Sequence, residues 1–122
     1  MKRLYLSAFI ILLLSQGSYA QLTTCAQTLR LANSTYEQGR LHELPDLLAK
    51  CLENGFDKQE KVQAYKLLAL TYIYLEEPEK ADEMMLKILQ TDNYFTINKD
   101  IDPAEFIALY NTFRTKPVYR LS

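Results

Sequence analysis

Two cysteines, Cys25 and Cys51, one histidine, His42, and a few short acidic groupings are the residues of this chain whose types could support chemistry. With His42 alone, neither a His-based metal cluster nor a Ser–His or Cys–His triad can be assembled, and it reads as a solvated first-turn residue. Asn98, Asp100 and Asp102 alternate as at the start of a calcium loop. Pro103 stands where that loop needs Gly, however, and Leu109 replaces its closing Glu, so these residues read as capping groups. Glu76, Glu77 and Glu79 fall in a turn and at a helix start, where carboxylates suit the helix dipole better than they suit paired acid–base work. The sequence contains no Gly-rich phosphate loop. These residues predict a chain that is not an enzyme and that takes no cofactor, metal or small-molecule substrate.

The reading of the cysteines depends on compartment. Met1-Lys2-Arg3 is a basic start, Leu4 to Leu14 an apolar run, and Ser18-Tyr19-Ala20 presents small residues at the two positions a signal peptidase inspects. An 11-residue run is short for a bilayer, which needs roughly 20 residues. An uncleaved anchor or a buried helix is the alternative. Leu22-Thr23-Thr24-Cys25 resembles a lipidation site only faintly, because a bulky Thr precedes the Cys. Residues 1–20 are therefore expected to be a signal peptide cleaved after Ala20. Loss of Lys2 and Arg3 leaves 12 basic and 15 acidic residues, a net charge of −3. No basic cluster recommends nucleic acid as a partner. In an oxidising compartment two cysteines are first a disulfide candidate. Cys25 opens the first helix and Cys51 falls near the end of the second, so antiparallel packing brings them together. The closed loop would be worth about 3–4 kcal/mol; the alternative is a pair of buried free thiols.

The elements that must position these residues are all helical. Ala26, Leu29, Ala32 and Tyr36 recur at helical spacing behind Thr24 as N-cap, and Gly39 stops that helix. A second helix is expected from about His42 to Glu53, with Pro45 in its first turn. Asp57 with Glu60 makes a capping box for a third, about Lys58 to Leu75, which is apolar nearly all round and so belongs in the centre. A fourth runs from about Glu79 to Gln90. After an irregular stretch, Asp102, Pro103 and Glu105 read as N-cap, N1 and N3 of a last helix reaching about Phe113, with Phe106, Leu109, Tyr110 and Phe113 inward. Residues 114–122 read as an extended tail, and Thr115 to Arg120 could add a strand to a partner's edge.

The helix pairs repeat. A shift of 37 residues places Leu31-Ala32 on Leu68-Ala69, Tyr36 on Ile73, Leu48 on Met85 and Leu52 on Leu89. The second unit, with Tyr65, Leu68, Ala69, Tyr72, Ala81, Met85 and Leu89, resembles the tetratricopeptide repeat. The first matches at Leu31, Ala32, Leu48 and Leu52, but has Leu44 at the family's small position. Phe56 and Asn93 stand where the family closes with proline. The whole chain, through Gly39-Arg40-Leu41, Tyr74 to Ala81 and Asp102 to Phe106, resembles helical-repeat domains of the Gram-negative envelope that often precede an outer-membrane β-barrel. The resemblance leaves open whether the chain is a free-standing version or a piece of a longer one.

It implies an all-α domain over residues 21–113, two tetratricopeptide-like repeats and a C-terminal capping helix, working in the periplasm near the outer membrane. The first helix of each repeat would line a partner-binding groove with Arg30, Asn33, Tyr36 and Glu37, then Lys66, Leu70, Ile73 and Tyr74. Leu70, Ile73 and Tyr74 would alternatively pack beneath the last helix or the tail. The function implied is that of an adaptor for a protein partner, a subunit of an envelope or outer-membrane complex, with membrane association only through that partner. The alternative is a structural subunit buried permanently in such an assembly, without a free groove.

Overall fold

A computed structural model describes residues 24–115, and these form five α-helices and no strand. The helices are α1 (Cys25–Glu37), α2 (Leu44–Glu53), α3 (Lys58–Tyr74), α4 (Pro78–Thr91) and α5 (Ala104–Thr115), with a 3-10 turn at Leu41–Glu43 before α2. The leader expected over residues 1–20 and the tail beyond residue 115 lie outside the described residues.

Local sequence sets the helix ends. At α1 the Thr24 hydroxyl accepts from the Gln27 N–H (3.1 Å) while the Thr24 N–H donates to the Gln27 side chain (3.0 Å). Asp57 and Glu60 repeat this reciprocal box at α3, at 2.8 and 3.0 Å. Each box satisfies two N–H groups that a helix start leaves open. At the other end of α1 the Gly39 N–H donates to Tyr36 O and the Arg40 N–H to Thr35 O, with Gly39 left-handed at φ +79°. The same closure ends α3: Glu76 N–H to Ile73 O and Glu77 N–H to Tyr72 O. Here the left-handed residue is Glu76, at φ +58°. It lies 37 residues after Gly39, so the sequence repeat is also a repeat of backbone conformation.

The start of α5 departs from expectation by one register. The Pro103 carbonyl accepts from Phe106 and Ile107 N–H, which makes Pro103 the N-cap. Asp102 is drawn away from capping by stronger partners: its Oδ1 meets Lys66 Nζ at 2.5 Å and its Oδ2 accepts from the Asn98 N–H at 2.7 Å. The far end of α5 continues through Arg114 and Thr115, two residues past the expected stop. Arg114 reaches back to the carbonyls of Asn93 and Phe95 and to the Tyr110 hydroxyl, and so holds the last turn in place.

The core is two clusters that share α3. Leu29, Ala32, Leu44, Leu48, Cys51 and Phe56 meet Ala64, Leu67 and Leu68 on one side of α3. Ala69 meets Met85, Ile88, Leu89 and Phe106 on the other. This is why α3 carries no single apolar stripe. Helix α3 touches every other α-helix and packs most extensively on α4; α1 packs on α2, and α5 on both α3 and α4. Helices α2 and α4 share no contact of that extent. Burial follows the 37-residue offset at Ala32 and Ala69, Leu44 and Ala81, Leu48 and Met85, and Cys51 and Ile88. It breaks at Leu31, 51% exposed where Leu68 is buried.

Candidate interaction site

The two cysteines are joined. Cys25 and Cys51 form a disulfide with a Cα–Cα separation of 5.7 Å, closing 26 residues of sequence. The bond ties the first residue of α1 to the last turn of α2. Gly55 packs directly beneath it: a Cβ there would lie 2.4 Å from Cys25 Sγ, on a backbone at φ +137°. Nothing in this arrangement exposes a reactive thiol. The bond is architectural.

The eight residues expected to line a groove divide into two groups. Arg30, Asn33 and Glu37 lie exposed on one face of α1, and Tyr36 beside them is half-buried. Tyr36 meets Tyr74 of α3 edge-to-face, with ring centroids 6.2 Å apart and planes at 62°. Burial, and secondarily the neighbouring Tyr74 phenol, raises the Tyr36 pKa above its ordinary value. Tyr74 itself remains 63% exposed. An aromatic pair thus bridges α1 and α3 with one ring open to solvent and a guanidinium, an amide and a carboxylate on the same face.

Lys66, Leu70 and Ile73 are half-buried on the side of α3 that meets α5. Lys66 binds Asp102, whose side chain is only 3% exposed, and its ammonium sits 5.3 Å from the Phe106 ring centroid. Leu70 and Ile73 are half-buried against the cluster beneath α5. These positions recruit the last helix, because a strongly apolar α3 with a cation midway offers α5 both a floor and a charge partner.

A second concavity lies where the α3–α4 turn faces α5. It holds about 560 Å³ and takes its apolar lining from Tyr72, Ile73, Ala81 and Leu109. Glu105, Ala108, Leu109 and Thr112 contribute one face of α5, at the helical spacing i, i+3, i+4, i+7. Four carboxylates edge it: Glu76, Glu77, Asp82 and Glu105. Glu77 is bound to Lys80 at 2.9 Å, while no ion pair among the described residues engages the other three. The Lys80 ammonium also lies 5.6 Å from the Tyr72 ring centroid. Burial, together with nearby acids and against the pull of Lys80, raises the Tyr72 pKa. Of the residues lining this groove, sequence reading identified only Ile73 as a site residue. The signal for the rest was present in the acid-rich run Glu76 to Asp82, but it shows its meaning only when α5 is laid across it.

No group of three or more metal-ligating side chains gathers among the described residues, and no described helix is long and apolar enough to cross a membrane. No protein-family model, curated protein or solved structure matches this chain.

Proposed function

We propose that this chain is an exported, tetratricopeptide-like adaptor that holds a protein partner in the periplasm, at an outer-membrane complex. The observation that carries the reading is the Tyr36–Tyr74 pair. A ring fixed edge-on by its neighbour and 63% exposed offers large contact area at little entropic cost, and Tyr and Arg dominate binding hot spots. Arg30, Asn33 and Glu37 supply polar contacts around it, on a helix whose start is held covalently. Repeat stacking is supported by the order of helix contacts: α1 reaches α3 and α3 reaches α5, while any contact between α2 and α4 is slighter than these. In an array of antiparallel pairs the first helices stack in the same way. The paired closures at Gly39 and Glu76 support the same reading, with α5 as the capping helix. Export is supported by the disulfide, which suits an oxidising compartment, and by the basic–apolar–small pattern of residues 1–20.

The test is recovery of bound proteins from detergent-solubilised envelope, with Tyr74→Ala and Arg30→Ala beside the unaltered chain. An adaptor retains a defined partner that both variants release, and it is a folded monomer alone. Recovery only as free monomer refutes partner binding. Stoichiometric recovery that ignores both substitutions, with aggregation of the isolated chain, identifies a permanently buried subunit instead.

A further inference from the structure

We infer that the acid-edged groove between the α3–α4 turn and α5 is a docking site for an amphipathic helix of a protein partner, one whose apolar stripe is flanked by Lys or Arg. The inference goes beyond the adaptor reading, which rests on Tyr36 and Tyr74; neither lines this groove. The first observation is shape. The groove holds about 560 Å³, within the range of about 300–1,000 Å³ that binding clefts occupy. Tyr72, Ile73 and Leu109 line it half-buried, so the fold leaves part of their apolar surface open. On the α5 wall Glu105, Ala108 and Thr112 are exposed, and the small side chains of the last two let a second helix axis come close. From Glu105 to Thr112 that wall runs seven residues, about 10 Å at 1.5 Å per residue, enough for about two turns of a helix laid along it.

The second observation is charge. The groove's lining carries four carboxylates and no Lys or Arg. Lys80, from outside the lining, answers only Glu77 among them; Glu76, Asp82 and Glu105 have no ion pair among the described residues. Carboxylates at the rim of an apolar floor select a segment that sets apolar side chains between cations, and they repel anionic lipid and nucleic acid. The third is Glu76 itself. It holds a left-handed backbone, φ +58°, 37 residues after Gly39, at a position where glycine carries no strain. A carboxylate kept there fits a rim that meets a cation. Helical form follows from the walls. The described residues form no strand, so the groove offers an extended segment no edge for backbone hydrogen bonds, whereas a helix arrives with its own satisfied.

The test is titration of the full chain with a synthetic helix of about 15 residues, leucines along one stripe and lysines on both flanks, read from the methyl NMR signals of Ala81, Ala108 and Leu109. Saturable shifts of these signals are expected. The same peptide with glutamates for its lysines should bind at least about tenfold more weakly, and so should the lysine peptide on Asp82→Lys/Glu105→Lys. Pairing that variant with the glutamate peptide should restore binding. Asp82→Asn alone, away from the start of α5, should weaken the lysine peptide in the same direction, and the Phe106 and Tyr110 ring signals report that α5 stays docked in every variant. Absence of saturable shifts, equal affinity for the two peptides, or shifts confined to Tyr36 and Tyr74 overturns the inference. Groove signals that move with protein concentration before peptide is added overturn it too, by making a second copy the occupant. Contacts to these methyls from residues 116–122 of the free chain do the same, by making the chain its own occupant.

Discussion

Replacing Gly55 with alanine tests how the disulfide is seated, because two separable penalties meet at one position. The first is local: φ +137° is a conformation that L-residues rarely adopt, and holding one there costs about 1–3 kcal/mol. The second depends on the bond. The new methyl would lie 2.4 Å from Cys25 Sγ, far inside contact distance, whereas its other neighbours, Cys25 Cβ at 3.6 Å and the Cys51 Cα at 3.8 Å, are ordinary contacts. A sulfur pinned to Cys51 cannot rotate away, so relief requires backbone movement, an overpacking cost of about 1–3 kcal/mol. The closed loop itself, 26 residues in sequence, is worth about 3.5 kcal/mol. Urea melts of four proteins then close a cycle: the unaltered chain, Gly55→Ala, Cys25→Ser/Cys51→Ser, and the triple variant. Gly55→Ala should cost about 2–6 kcal/mol with the bond present and about 1–3 kcal/mol without it, leaving a coupling of about 1–3 kcal/mol. In a domain of this size each kcal/mol corresponds to about 4–8 °C in Tm. Free-thiol titration shows whether Gly55→Ala still oxidises; failure to form the bond expresses the same clash. A fully oxidised Gly55→Ala protein whose cost matches that in the serine background would refute the reasoning, and leave backbone conformation as the only role of the glycine.

Glu76→Gly should stabilise the chain by about 0.5–1 kcal/mol by removing left-handed strain, measured by thermal melting; a loss of stability would mean that its side chain makes a folded-state contact worth more than the strain. Lys66→Met leaves the Asp102 carboxylate, 3% exposed, with only the Asn98 N–H. It should cost about 1–3 kcal/mol, the half-open lysine placing it below the range for a fully buried pair. Adding Asp102→Asn should recover part of that loss, and hydrogen exchange should place the loosening in α5. The raised pKa of Tyr36 means that the native state holds its proton more tightly than the unfolded chain does. That stability is present below the ordinary value of 10.0 and is lost as pH rises from there through the folded value. Tyr74→Phe should lower the Tyr36 pKa without restoring the ordinary value, because burial is the larger cause. Ring-carbon NMR resolves Tyr36 among nine tyrosines.

What could be read from the residues alone was whatever is decided within a few residues of sequence. Thr24 and Asp57 cap because a hydroxyl or carboxylate three residues ahead of an open N–H has little else to do, and Gly39 stops α1 because it alone crosses to positive φ without penalty. The disulfide was legible because export and antiparallel helices are both short-range inferences. Asp102 was misjudged for the opposite reason: its preference is set by Lys66, 36 residues earlier, and for a buried carboxylate a full cation outbids a helix N-terminus. Lys66 pairs with that same Asp102, and Leu70 and Ile73 pack against the cluster that holds Phe106 of α5, the alternative the sequence left open for those two apolar residues. Glu76 gave no sign of its left-handed backbone, since glutamate is ordinarily a helix former. The acid-edged groove was invisible because it needs the crossing of α5 over the α3–α4 turn, which no periodicity encodes.

The sulfur bridge near the start of the described chain also has a mechanical meaning. Tension applied along the backbone from Thr24 would enter at Cys25 and leave at Cys51 without stretching what lies between. Helix α1 and most of α2 would ride as a slack loop, withholding about 90 Å of contour, the 26-residue span at roughly 3.4 Å per residue. The load would fall instead on α3 and α4, the most extensive helix contact in the fold. A pull on this chain would therefore be resisted at its centre, while the tyrosine face of α1 rode undistorted beside the path of force.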